Sequence, residues 1–147
     1  MVKKIIIDTD PGVDDSLAIF VALNSPELEV LGLTTVFGNA VTTTCTENAL
    51  RLLEIAQRTD VPVIEGAKVP LNGISRGAAS FVHGDNGQGN AALSLPVTKP
   101  LDIDAVTFLK EIIENNLKPG LNKNIYTYDE NEILQNLENL FLVYLFH

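Results

Sequence analysis

Four carboxylates fall within eight residues at Asp8-Thr9-Asp10-Pro11-Gly12-Val13-Asp14-Asp15. Like charges this close raise the energy of a folded chain unless something positive neutralises them. Pro11-Gly12 favours a tight turn, which folds Asp10 back toward Asp14 and Asp15. Asp14 and Asp15 then open a helix, whose dipole favours anions by only about 0.3–1 kcal/mol. That is too little for three or four carboxylates, whereas a bound divalent cation suffices. Oxygen ligands with no His or Cys nearby select a hard ion, Ca2+ or Mg2+. Ca2+ accepts about 6–8 oxygens in loose geometry, which side chains clustered on one loop can help supply. Taken singly, each of these aspartates reads equally well as a helix cap or a turn former.

The elements around this loop are those of an α/β protein. Residues 3–8 are rich in β-branched side chains and stop at the acidic cluster, the pattern of a parallel strand covered on both faces. From Asp14 to Asn24 the spacing of Leu17, Ala18, Phe20, Val21 and Leu23 predicts a helix, which Ser25-Pro26 ends. A second strand runs from Leu28 to Phe37 and closes at Gly38-Asn39. Thr43 or Thr44 can cap the next helix, with Glu47 at capping-box spacing from Thr44 and a stripe of Ala49, Leu50, Leu53 and Ile55. Residues 61–64 form a short third strand. Residues 66–101 are rich in Gly, Ser, Asn and Pro and read as a long loop with little regular structure, a length that in a compact domain is usually functional or disordered. Asp102 or Asp104 caps a last helix that runs to about Asn116.

The order β-α-β-α-β-loop-α predicts a Rossmann-like parallel sheet with flanking helices. Ligands gather at the carboxyl ends of strands in such sheets, where the aspartate loop and Asn39 both fall.

The chain has 147 residues, is 46% hydrophobic and carries a formal net charge of −9. The acidic balance argues against a nucleic-acid partner, since binders of phosphate backbones carry basic patches. No apolar run reaches the roughly 18 residues needed to span a bilayer, and the amino terminus lacks a signal-peptide core. Cys45 is the lone cysteine, which fits a reducing compartment. A cytoplasmic protein with no membrane partner is expected.

The run Asp8–Asp15, followed by Ala18-Ile19, resembles the signature of the inosine/uridine-preferring nucleoside hydrolase family. Val36-Phe37-Gly38-Asn39 fits the same family. Phe81-Val82-His83-Gly84-Asp85-Asn86-Gly87-Gln88-Gly89-Asn90 resembles its His-Gly-x-Asp-Gly-x-Gly loop. The resemblance covers roughly residues 3–120. It implies a Rossmann-like fold and Ca2+-dependent cleavage of the N-glycosidic bond of purine or pyrimidine ribonucleosides, giving ribose and free base. It also implies roles. Asp10 is the general base on a metal-bound water and a Ca2+ ligand, and Asp15 is a second ligand. Asp14 binds a ribose hydroxyl, and Asn39 holds the sugar and the attacking water. Val82 and His83 are base contacts. A homo-oligomer is compatible with it.

Residues 1–120 are thus expected to form the amino-terminal portion of such a hydrolase. Residues 121–147 depart from the family pattern and read as a helical tail, with Ile133, Leu137, Leu140, Phe141 and Tyr144 on one stripe. The resemblance places further Ca2+ ligands, sugar contacts and the leaving-group acid in a second half that has no counterpart here. Two other readings follow. One is a catalytically inactive truncated relic or interaction module. The other is a haloacid-dehalogenase-like phosphatase, with Asp8 as nucleophile and Asp10 beside Mg2+; Pro11-Gly12 and the unused Asp14-Asp15 weigh against it.

Overall fold

A computed structural model describes residues 2–74 and 77–116, and for residues 140–144 the backbone alone. The elements are β1 (Lys3–Thr9), α1 (Val13–Asn24), β2 (Leu28–Thr35), α2 (Thr42–Ile55), β3 (Val63–Glu65), α3 (Ser80–His83), α4 (Ala105–Asn115) and β4 (Leu140–Tyr144). The four described strands form one sheet in the order β3-β2-β1-β4, and every pairing is parallel. The chain builds outward from β1 through β2 to β3, and β4 then lies on the other side of β1. The order reverses at β1, so the loop that leaves its carboxyl end stands at the topological switch point.

Successive side chains of a strand point to opposite faces, and β1 serves two cores accordingly. Ile5 and Ile7 join Ile19 and Ala22 of α1 and Ala49, Leu50, Leu52 and Leu53 of α2. Ile6 joins Ile64 and Phe108 on the other face, under α4. Sheet faces covered on both sides explain why β1 reads as an unbroken isoleucine run. The α4 cap is Asp104, whose carboxylate accepts the Thr107 N–H at 2.9 Å.

Some local expectations change. In α1 it is Ile19 and Ala22 that are buried, with Phe20 and Leu23 packed against them, while Leu17 and Val21 are 66% and 67% exposed. Because α1 is apolar nearly all round, periodicity could not select its inner face. Helix α2 begins at Thr42 with Val41 as an N-cap that makes no side-chain bond, so neither Thr43 nor Thr44 caps it, and Ile55 is exposed. Leu140–Tyr144 form a parallel strand on β1, which replaces the helix expected there. Ile133 and Leu137 lie outside the described residues.

The β1–β2 register slips by one residue, Ile5 pairing with Val30 and Ile6 with Gly32. A Cβ on Gly32 would stand 2.6 Å from Phe108 Cζ and 3.0 Å from its Cε1. Bare backbone there lets α4 settle on the sheet. Gly32→Ala is expected to cost about 1–3 kcal/mol by overpacking. Thermal melts should show the loss, and Gly32→Ala/Phe108→Leu should recover part of it. An unchanged melting temperature for Gly32→Ala would remove this account of the α4–sheet contact.

Candidate functional site

The Pro11-Gly12 turn follows Asp10 just past the end of β1, and α1 starts at Val13, directly after Gly12. Asp15 sits in the first turn of α1 with 2% of its surface exposed. Its Oδ1 accepts the Thr9 hydroxyl at 2.9 Å. Its Oδ2 accepts the Gly12 N–H at 3.0 Å and the Asn39 side-chain amide at 2.9 Å. Asn39, just past β2 and equally buried, also binds Asp10 twice. Its backbone N–H donates to Asp10 Oδ2 at 2.6 Å, and its Nδ2 donates to the Asp10 carbonyl at 3.0 Å. One asparagine therefore ties two carboxylates from the first loop to the end of the second strand.

The acidic loop draws on more donors than its sequence reveals. The Thr34 hydroxyl of β2 donates to Asp8. Burial raises the Asp8 pKa above the usual aspartate value, and the Thr34 bond opposes that rise. Hydrogen-bond donors thus stabilise Asp8, Asp10 and Asp15, so a cation is not the sole stabilising influence on the turn. Asp14 differs: its side chain is 53% exposed and lies 3.8 Å from His83 Nδ1. Burial, with smaller contributions from Asp10 and Asp15, pushes the Cys45 thiol up to about 12, against a hydrogen bond to the Ala40 carbonyl. A thiol with so high a pKa stays protonated and unreactive.

The Gly-rich loop reaches the same place from 70 residues away. His83, the last residue of α3, is 5% exposed, and its Nδ1 accepts the Val13 N–H at 3.3 Å. That bond leaves the proton of the neutral ring on Nε2. Gly12 must be bare for this approach, since a Cβ there would stand 2.6 Å from Asn39 Nδ2 and 2.7 Å from His83 Nδ1. The structure thus gathers Asp10, Asp14, Asp15, Asn39 and His83 at one end of the sheet. Val82, on the same short helix, is 59% exposed. Among the described residues, no three His, Cys, Asp or Glu side chains form a group that could hold a metal. Asp10 and Asp15 are a two-carboxylate set at most.

Sequence reasoning missed the residues that fasten these loops together. Asn48 of α2, 1% exposed, donates to the Pro11 carbonyl at 3.1 Å and to the Asn86 carbonyl at 3.0 Å. Gln88 donates to Ser16 Oγ at 2.9 Å. No local spacing signals either role. Farther along, Glu54 Oε1 accepts the Val97 and Thr98 N–H groups, each at 2.7 Å, and the Thr98 hydroxyl at 2.6 Å. The Thr98 hydroxyl, then its N–H, holds the Glu54 carboxyl below its usual value. A depressed folded-state pKa stabilises above the unfolded value of 4.5, and that stability disappears as pH falls through the lower folded value. Glu54→Gln should therefore melt slightly below the parent at pH 7, with the difference closing below pH 4.5. A gap that stayed constant to pH 3 would show that the Glu54 charge is not what pins this segment.

A doubly wound sheet with an acidic turn at its switch point defines a Rossmann-like α/β protein with a polar ligand site. Residues 5–125 match the family of the inosine-uridine preferring nucleoside hydrolase, and the chain belongs to that family. The chain is 56% identical over 119 residues to "Probable uridine nucleosidase 2" of Arabidopsis thaliana, covering 80% of this chain and 36% of that protein. Among solved structures it is similar to a plant nucleoside hydrolase, PpNRh1, at 49% identity and a TM-score of 0.76, covering 80% of this chain and 37% of that one. An inosine-guanosine nucleoside hydrolase overlays 98% of this chain and 38% of its own at 26% identity and a TM-score of 0.73. The chain thus spans 36% of the length of that curated relative. Among the described residues, no helix is long and apolar enough to cross a membrane.

Proposed function

We propose that this chain supplies the metal- and ribose-binding part of a Ca2+-dependent nucleoside hydrolase, which cleaves the N-glycosidic bond of ribonucleosides to give ribose and a free base. The observation that carries this reading is Asn39, whose backbone and side chain join Asp10 to Asp15 at the carboxyl end of β1. Uridine is the first substrate to test, because the Arabidopsis relative is named as a uridine nucleosidase. The absence of any cysteine pair fits work in the cytoplasm.

The donor chemistry fits a hard cation as a partial set. Asp10 and Asp15 offer carboxylate oxygens without nitrogen or sulfur, and the remaining oxygens of a Ca2+ shell come from water, substrate and other groups. When bound, Ca2+ acidifies a water and grips vicinal sugar hydroxyls. Asp10 takes the proton of the attacking water, as oxocarbenium-like glycoside cleavage requires of a carboxylate. Asn39 keeps Asp10 and Asp15 in fixed relation and would help hold the sugar and the attacking water. Asp14, exposed at the rim, accepts a ribose hydroxyl. His83 and Val82 are the contacts for the base, Val82 offering it an apolar surface. The phosphatase alternative is not favoured: Asp8 is engaged by Thr34, and the family match points elsewhere.

Calorimetric Ca2+ titration of the parent, Asp10→Ala and Asp15→Ala, beside assays of uridine and inosine with Ca2+ or chelator, tests this function. Ca2+ binding that both substitutions abolish, with turnover that chelator abolishes, is expected. Ca2+ binding without turnover would mark the chain as a half-site that needs further groups, including the leaving-group acid. Equal Ca2+ affinity in all three proteins would rule the metal assignment out.

A further inference from the structure

The Pro11-Gly12 turn, from which the acidic side chains hang, is held from outside by two side-chain amides. Asn48 Nδ2 reaches the Pro11 carbonyl at 3.1 Å and, with its other hydrogen, the Asn86 carbonyl at 3.0 Å. Its Oδ1 accepts Arg51 Nη1 at 2.7 Å, and Arg51 Nε donates to the Ser94 carbonyl at 2.7 Å. Gln88 Nε2 lies 2.9 Å from Ser16 Oγ and 3.4–3.5 Å from the Gly12 and Pro11 carbonyls. Ser16 in turn donates to the Gly12 carbonyl at 2.6 Å. The path from Gln88 through Ser16 to the Gly12 peptide is therefore continuous. Asn86 prepares it, its Oδ1 accepting the N–H groups of Gln88 and Asn90, each at 2.9 Å. Gly87 makes room: its φ is +73°, and a Cβ there would stand 2.9 Å from Asn48 Nδ2.

We propose that Gln88, with Asn48 behind it, is a positioning residue that fixes the height and tilt of the Pro11-Gly12 turn, so that the order of the Gly84–Asn90 loop is a condition of the acidic site's geometry. Gln88 is half-buried and belongs to neither hydrophobic core. Its named side-chain bonds all end on the turn or on the first turn of α1, so its removal acts there and not on the sheet. The functional side of this inference rests on the Ca2+ reading above. The mechanical side does not.

The test uses the full chain as parent, Gln88→Met, Ser16→Ala, the double variant and Asn48→Asp. Gln88→Met keeps the length of the side chain and removes the donor. Amide hydrogen exchange without metal reads the turn, and Ca2+ calorimetry reads the site. In Gln88→Met, exchange at Val13–Ser16 should rise about three- to tenfold, the scale of one net hydrogen bond, and Ca2+ affinity should fall by a similar factor. Amides of β2 and α2 should not change. The double variant should add little to the larger single effect, because both residues serve one path.

Unchanged exchange at residues 13–16 in Gln88→Met overturns the proposal. So does acceleration spread evenly over β2 and α2, which marks a merely structural residue. Faster local exchange with unaltered Ca2+ affinity overturns the positioning role. A parent that binds no Ca2+ sinks the metal reading instead, and exchange alone then decides whether the clamp exists. Asn48→Asp sets a carboxylate against two carbonyls and should exceed Gln88→Met in the same direction. Should it fail to fold, Gln88→Met still decides.

Discussion

Asp15→Ala is expected to destabilise the chain by about 3–5 kcal/mol even with all divalent metal removed. Three donors surround that carboxylate: the Thr9 hydroxyl, the Gly12 N–H and the Asn39 amide. Truncation leaves them facing a small void at a position 2% exposed. A buried donor that loses its acceptor costs about 1–3 kcal/mol, and neighbouring losses are not fully additive. For a chain of this size that corresponds to a melting temperature lower by roughly 10 °C. Asp15→Asn should fall in between, because one acceptor oxygen survives while the new amide meets a donor. Melting in chelator separates this from any effect of Ca2+. If Asp15→Ala melts within about 2 °C of the parent there, the donors are not holding that carboxylate, and its burial needs another cause.

Asp10→Asn should do the opposite: spare the fold and remove the chemistry. Asp10 is only half-buried, and an asparagine oxygen can still accept the Asn39 N–H that now reaches Oδ2 at 2.6 Å. The melting temperature in chelator should therefore stay within about 2 °C of the parent. An amide cannot take a proton from water, so uridine hydrolysis should fall by about 10²- to 10⁴-fold, the usual worth of a general base. Ca2+ affinity should fall as well, since a charged ligand is replaced by a neutral one. Single-turnover assays and calorimetry on the same preparation provide both readings, and calorimetry suffices if the parent binds Ca2+ without turning over. Full uridine turnover in Asp10→Asn would move the base elsewhere. Such a contrast would separate the proposed base, Asp10, from Asp15, whose carboxylate also anchors the loop.

The readability of this site depends on how far apart its parts lie along the chain. Asp10, Asp14 and Asp15 stand out because a strand, a Pro-Gly turn and a helix start place them by local rules. Asn39 was readable by its position at the end of β2, and His83 only through a family-like loop. Gln88 and Asn48 sat in plain view and signalled nothing. Their partners are backbone carbonyls of Pro11, Gly12 and Asn86, which every residue possesses, so no side-chain pattern announces them. The tail was ambiguous for another reason. A short apolar run such as Leu140–Tyr144 suits a buried helix turn and a buried strand equally well, and pairing with β1 settles which.

Residue order alone determined the alternation of strands and helices, the acidic turn after β1 and the family. Each follows from interactions within about ten residues or from a motif read in line. Only the tertiary structure decided that Asn39 joins Asp10 to Asp15, that Thr34 donates to the acidic loop, and that an amide from α2 supports its turn. Hydrogen bonds between groups 24 to 37 residues apart exist only after the sheet has brought those segments together. The geometry of closure, not the local spacing of residues, selects which donor meets which oxygen.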